Sequence, residues 1–265
     1  MKLQRIPLML ATALLLGVGA KAQQIDLGAR AGISIPKLSA GGSSTNPLNE
    51  GYSSRLGPDF AVFAEFHFSK LFSIQPMIEY SAQGGQKNGF QAFPTPDKVV
   101  PVFTAQGLTP PTYLYADFKS TAKINYLMVP ILAKFGWNLG KSPLRLYVDA
   151  GPFVGFLLSA KQEVRGTSVW YLDPGKTQPL ILDPSHPTTP TPVNMDSDND
   201  IKDQLNKVNF GISGNVGLAY LFGKSKIFIE GGGNYGFLNI QKGEANGKNN
   251  IGAGTVALGY AYRIK

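Results

Sequence analysis

The 265-residue sequence contains no cysteine. That excludes a disulfide framework, a thiolate metal site and an N-terminal cysteine that could carry a lipid anchor. Histidine is nearly absent as well, with His67 and His186 the two copies, so imidazole chemistry has few places to occur. After the first twenty or so residues no apolar run approaches the ~18 residues that a transmembrane helix needs. Any membrane residence of the mature chain must therefore use strands. The formal net charge is +8, but the basic residues form no cluster of the kind that grips a phosphate backbone, so nucleic acid is not an expected partner.

What is present begins with an export signal. Lys2 and Arg5 precede an apolar run from Leu8 to Val18, and Ala20-Lys21-Ala22 then supplies small residues where a signal peptidase reads them. The run is too short to cross a bilayer as a helix. Residues 1–22 are accordingly expected to be a signal peptide, and 23–265 a single domain starting at Gln23. Removing Lys2, Arg5 and Lys21 lowers the 25 basic residues to 22, against 17 acidic ones, which is a mild excess.

The mature chain alternates with period two in eight stretches. The clearest runs from Pro143 to Lys161, where Leu144, Leu146, Val148, Ala150, Pro152, Val154, Phe156 and Leu158 form one apolar row. The opposite row holds Arg145, Tyr147, Asp149, Gly151, Phe153, Gly155, Leu157, Ser159 and Lys161. The others run from Ile25 to Ile35, Asp59 to Phe68, Leu71 to Gln83, Lys123 to Trp137, Val208 to Phe222, Lys226 to Ile240 and Ile251 to Ile264. In most of them, one row is free of charge and the other carries isolated charges among small and aromatic residues.

The links alternate too. Ser69-Lys70, Asn138 to Ser142 and Gly223-Lys224-Ser225 are hairpin-sized, whereas Pro36 to Leu56, Gly84 to Ser120, Gln162 to Lys207 and Gln241 to Asn250 are longer. This is the pattern of an all-β, eight-stranded antiparallel up-and-down barrel with long loops on one rim. Period two alone does not say which row faces out, and a soluble barrel would turn the apolar row inward. Three features favour the inverted, transmembrane arrangement. An export signal comes first, and the charged row is too rich in glycine and aromatics for a solvated surface. In addition Phe68, Phe72, Phe135, Trp137, Phe222 and Tyr262 lie on the uncharged row beside the short links or the C-terminus, where an interfacial aromatic girdle belongs.

Several segments resemble the PorT-type bacterial outer-membrane β-barrel family: Gly28-Ala29-Arg30-Ala31-Gly32, Phe72-Ser73-Ile74-Gln75-Pro76-Met77-Ile78-Glu79-Tyr80, Tyr126 to Lys134, Ala150 to Gly155, and Asn234-Tyr235-Gly236-Phe237. The resemblance implies an eight-stranded barrel inserted into the outer membrane of a Gram-negative bacterium from the periplasm. It implies no defined activity, because the family is recognised by its scaffold. Met128 departs from the pattern, standing where the family often has an acidic residue that would partner Lys134. The chain also ends Tyr262-Arg263-Ile264-Lys265 rather than on an aromatic, so recognition by the barrel-insertion machinery rests on Tyr260, Tyr262 and Ile264.

An eight-stranded barrel has an interior that side chains just fill. Arg30, Glu65, Glu79, Lys134, Arg145, Asp149 and Glu230 are therefore expected to meet in the lumen and pair, since an unpaired buried ion costs several kcal/mol. No catalytic constellation is legible. His67 sits on the interior row beside Glu65 and reads as a hydrogen-bonded packing residue, and His186 lies in Pro184-Ser185-His186-Pro187, an extended loop. Asp196-Ser197-Asp198-Asn199-Asp200 opens like a calcium loop, but Ile201 and Lys207 occupy the positions of its glycine and bidentate acid, so it reads as a solvated acidic tip. Gly231-Gly232-Gly233 precedes no helix and is not a phosphate loop. No cofactor and no metal site is expected. The sequence points to a structural or interaction barrel in the outer membrane, with the lipid bilayer as its first partner and protein partners reached through the long loops. A small pore or ligand-binding barrel, or a subunit of a secretion machine, is the alternative.

Overall fold

The computed structural model describes residues 23–40, 46–48, 51–182, 189–243 and 248–265. The expected signal peptide, residues 1–22, and His186 lie outside the described residues. Eight long antiparallel strands form a ring: β1 (Gln24–Pro36), β2 (Gly57–His67), β3 (Phe72–Pro94), β4 (Tyr113–Asn138), β5 (Leu144–Arg165), β6 (Val208–Phe222), β7 (Ser225–Gly236) and β8 (Gly252–Arg263). Each strand pairs with its neighbour in sequence except across the β8–β1 seam, where Asp26 opposes Arg263 and the ring closes. Closure leaves no strand edge within the ring, which is the condition for backbone polar groups to survive in hydrocarbon.

The rows face as the charge pattern requires. On β4 every even residue from Leu114 to Gly136 is buried, while the odd residues are turned outward. Outward on the ring, Val62 is 56% exposed, Ile131 52% and Leu258 64%, whereas Arg30, Glu65, Glu79 and Glu230 are buried inside. An oily belt around a charged interior cannot rest in water; it is the surface of a membrane barrel. Large interior rings fit only where the facing strand yields space. A Cβ on Gly217 would stand 2.2 Å from the Tyr147 ring, and one on Gly259 would stand 2.1 Å from Phe228.

The longest strands depart from expectation. Gly84 to Ser120 is not mainly loop: β3 and β4 stay paired from Phe72–Phe135 up to Pro94–Tyr113, and a short helix, α1 (Val100–Ala105), lies within the connection. The segment from Gln162 to Lys207 likewise contains structure. β5 continues to Arg165, Ser197–Asp200 pairs with its end, and Thr167–Ser168 pairs with Val193–Asn194. In the other direction, β7 stops at Gly236 rather than Ile240.

The fifth strand also changes phase. Tyr126 pairs with Leu157 but Asn125 with Ser159, so β5 carries one extra residue there. Such a bulge moves everything beyond it to the other face. Ser159 and Lys161, read from strict alternation as interior, therefore belong to the outward row. The same level marks a change in chemistry. The outward residues of β4 are apolar from Trp137 to Leu127 and polar from Asn125 through Lys123, Thr121 and Lys119 to Asp117. Lys123 reaches Glu163 across the pair at 2.5 Å. The apolar stretch matches the roughly 9–11 residues of a tilted membrane strand, and the rest of the 26-residue strand stands beyond the belt.

Arginine placed at outward Leu146 or Val148, 40% and 37% exposed on the belt, should cost on the order of 2 to 4 kcal/mol. Urea titration of the refolded barrel in bilayers measures this, and wild-type stability for both variants would contradict the facing assignment.

Candidate functional site

The interior is built in tiers. Nearest the short turns, Asp26 on β1, Glu65 and His67 on β2, Lys134 on β4, Lys226 on β7 and Arg263 on β8 converge. The Lys226 ammonium donates to Glu65 at 2.5 Å and to Asp26 at 2.9 Å. Asp26 also accepts from Arg263 Nε at 3.1 Å, and its other oxygen lies 3.0 Å from His67 Nε2. Ser73 Oγ donates to Glu65 at 2.7 Å. Lys134 Nζ bonds Gln75 Oε1 at 2.8 Å, lies 3.7 Å from Glu65 and 3.9 Å from Asp149, and sits 3.9 Å from the centroid of the Tyr147 ring.

Further along, one guanidinium serves three carboxylates. Arg30 donates to Glu230 and to Glu79, the latter at 2.9 Å, and lies 3.6 Å from Asp59. Tyr147 Oη donates to the second Glu230 oxygen at 2.6 Å, and Asn215 donates to Asp149 at 2.8 Å. Between the two tiers pack Phe63, Met77, Leu132, Tyr147 and Phe228, all buried. Beyond Arg30 the interior turns apolar, with Tyr126, Met128, Phe153 and Ile251 buried together in one cluster.

Of the seven lumen residues named from sequence, six stand in these two tiers. Arg145 does not join them: it is at the short-turn rim, donating to Asn138 Oδ1 at 3.0 Å and to the Lys70 carbonyl at 2.8 Å. Sequence reasoning passed over Asp26, Asp59, Lys226 and Arg263. Each sits on the interior row of its strand, so the period-two pattern contained the signal. The carboxylates of Asp26 and Glu65 with His67 present ligand atoms within 4.8 Å of one another, as a metal site would. Lys226 already supplies the cation between the two acids. The acidic run is not gathered: Asp196 accepts from the Gly166 N–H, Asp198 pairs with Arg165 at 2.6 Å and Asp200 accepts from the Lys202 N–H.

The girdle residues lie at the short-turn rim. Phe68 contacts Phe72 with centroids 6.0 Å apart, Phe72 contacts Phe135 at 5.2 Å, and Trp137, Phe222 and Tyr262 are outward and exposed. A second aromatic set lies one belt-width away. Phe60 meets Tyr80 at 6.5 Å, Phe237 meets Phe210 at 5.9 Å and Tyr235 at 6.0 Å, and Phe156 is exposed nearby in register. Two aromatic levels bracketing an apolar belt are what the two interfaces of a bilayer select.

The sequence matches the outer membrane protein beta-barrel domain over residues 21–242. The chain belongs to that family. Among solved structures it is similar to the Neisserial surface protein A, with 12% identity over 89% of this chain and 96% of that one and a TM-score of 0.38. It is similar to OprG from Pseudomonas aeruginosa, with 10% identity, coverage of 93% and 98% and a TM-score of 0.37. Ail, the attachment invasion locus protein of Yersinia pestis, shows 12% identity, coverage of 90% and 98% and a TM-score of 0.35. No curated protein matches the chain in sequence.

Because Arg30 is shared, its removal strands three buried carboxylates. Arg30→Met should destabilise the barrel by about 3–5 kcal/mol, and Arg30→Met/Glu230→Gln should lose less than the two single losses summed. Bilayer unfolding titrations of the four species of this cycle check it; strict additivity would mean that the pair is not coupled.

Proposed function

We propose that this outer-membrane barrel, of the PorT type, is exported by residues 1–22, is built from a single domain over 23–265, and acts by presenting a rigid projection to partners outside the cell. The observation that carries the reading is the continuation of β3, β4 and β5 as a paired sheet past the level at which their outward faces turn polar. A loop that served only to connect would not need a ladder this long. Paired strands hold side chains in place at little entropic cost on binding. The outward surface of the projection mixes Lys119, Lys123, Lys161 and Arg165 with Asp117, Glu163 and Asp198, a texture suited to polar protein contact more than to lipid.

The lumen supports a closed rather than conducting barrel. Ion pairs, the Tyr147 and Phe228 rings and the apolar layer at Met128 and Phe153 occupy successive levels of the bore, and the residual space beside Arg30 is about 10 Å³. A catalytic role has no support in the arrangement: His67 is tied to Asp26 beneath the ionic tiers, away from the projection. Membership of a secretion machine would use the same outer surface or the short-turn rim, and crosslinking distinguishes the two.

Gly84 opposes Lys123, so joining them through an Asn-Gly turn removes the β3–β4 part of the projection and leaves the belt intact. Crosslinking in intact envelopes should recover a partner with the full chain and lose it with the shortened one. Equal recovery from both would place the contact elsewhere. Purified protein in planar bilayers should show no discrete conductance steps.

A further inference from the structure

The two ends of the barrel differ in charge. The projection, which surrounds a cavity of about 680 Å³, mixes acids with bases. The short-turn rim carries bases alone. Each of its three links holds one lysine, Lys70, Lys141 or Lys224, and no link contains an acidic residue; Arg145, Arg263 and Lys265 stand at the strand ends beside them. Asp26, Glu65, Asp149 and Glu230, the acids closest to this rim along the strands, are all buried in the bore. We infer that the rim binds the head groups of anionic phospholipids in the leaflet that meets it.

The lysines stand at head-group depth, among the girdle aromatics. Lys70 lies between Phe68 and Phe72, whose ring centroids are 6.0 Å apart, and Lys224 follows Phe222, itself 6.1 Å from the Tyr220 ring. Lys141 follows Trp137, and Lys265 follows Tyr262. Interfacial aromatics sit at the level of the head groups. A lysine stem that starts there places its ammonium among the phosphates.

The turns are fixed while their ammonium groups are free. Ser69 Oγ accepts from the Leu71 and Phe72 N–H groups at 3.2 and 3.0 Å, and the Lys70 carbonyl accepts from Arg145 at 2.8 Å. The Lys224 carbonyl accepts from the Arg263 N–H at 2.8 Å, and Ser142 Oγ donates to the Leu139 carbonyl at 2.6 Å. Both arginine side chains are engaged by the protein, Arg145 with Asn138 and Lys70 and Arg263 with Asp26 at 3.1 Å. The Nζ atoms of Lys70, Lys141, Lys224 and Lys265 make no hydrogen bond or ion pair among the described residues.

These cations also follow the circumference. The links join β2 to β3, β4 to β5 and β6 to β7, and Lys265 lies just past β8, so the charge is spread around the ring instead of forming one patch. A protein docks on one side of such a ring, whereas the lipids that surround a barrel meet all of it. Lysine is a point charge that needs no shaped pocket to attract a phosphate, and basic residues at a membrane surface favour anionic lipid.

Trp137 and Trp170 are the two tryptophans of the chain, so Trp170→Phe leaves Trp137, on the same rim as Lys141, as the reporter. The refolded Trp170→Phe barrel is placed in nanodiscs of equimolar phosphatidylglycerol and phosphatidylcholine, with the acyl chains of one lipid or the other brominated. Brominated phosphatidylglycerol should quench Trp137 more strongly, with a relative association constant of about five. The preference should fall toward unity in Lys70→Gln/Lys141→Gln/Lys224→Gln, and in about 1 M salt, where the screening length is ~3 Å. It should survive Lys70→Arg/Lys141→Arg/Lys224→Arg, and wild-type circular dichroism shows that both variants are folded. Equal quenching by the two lipids in the parent, or a preference undiminished in the glutamine variant, would overturn the assignment. So would rim lysines shielded from an acylating reagent in intact envelopes yet open to it in the anionic nanodiscs, which would give the rim to a protein.

Discussion

The structure turns on one constraint: charge can be kept inside a barrel in the membrane only where each ion finds its partner across the bore. Arg30 is the centre of this arrangement, reaching Glu79 and Glu230 by hydrogen bonds and Asp59 at 3.6 Å. These partners come from β2, β3 and β7, so the guanidinium on β1 ties four strands of the ring together. Lys226 does the same nearer the short turns, joining β7 to the Asp26 and Glu65 carboxylates of β1 and β2. Such pairs owe their value to geometry, because desolvation of each ion consumes most of the Coulombic gain. With the ionic groups gathered inside, the outer face of the belt is free to be apolar.

The belt in turn sets where the molecule changes character. Below the Leu127–Phe156 pair, outward residues are oily; above it, after the extra residue in β5, they are polar and charged. The bulge is well placed for this transition. It re-aims Ser159 and Lys161 outward at the level where lipid gives way to water, and it leaves Ala160 and Gln162 facing inward. Strands β3, β4 and β5 then continue as the wall of a cup, whose floor is the apolar cluster of the interior. Membrane residence, a packed lumen and the cavity beyond it thus share one set of strands.

Much of this was legible in the residues themselves. The alternation of Leu144 to Phe156 against Arg145 to Gly155 states both strand and facing, and β6 has the expected bounds of Val208–Phe222. Six of the seven charges named for the lumen stand in its two tiers. The misreadings have physical causes. Above the belt, alternation fades because strands there meet water outside and a polar cavity inside, so Gly84 to Ser120 has the composition of a loop although most of it pairs as strand. A single inserted residue reverses parity without altering composition, which concealed the new facing of Lys161. Arg145 has the right parity but too low a level, and parity carries no depth.

By itself the sequence determined the class of the molecule: a chain with no thiol and, past its first twenty or so residues, no helical span, with eight alternating stretches whose charges lie mostly on one face. Those are local properties, since neighbouring side chains on a strand must point opposite ways and a bilayer tolerates only one kind of outward row. Tertiary structure alone decided which ions meet, that Arg30 serves three acids, and that Trp170, Gln91, Gln162 and Gln204 surround one space. Such contacts depend on the register between strands distant in sequence, and register follows from ring closure and tilt rather than from any single stretch of residues.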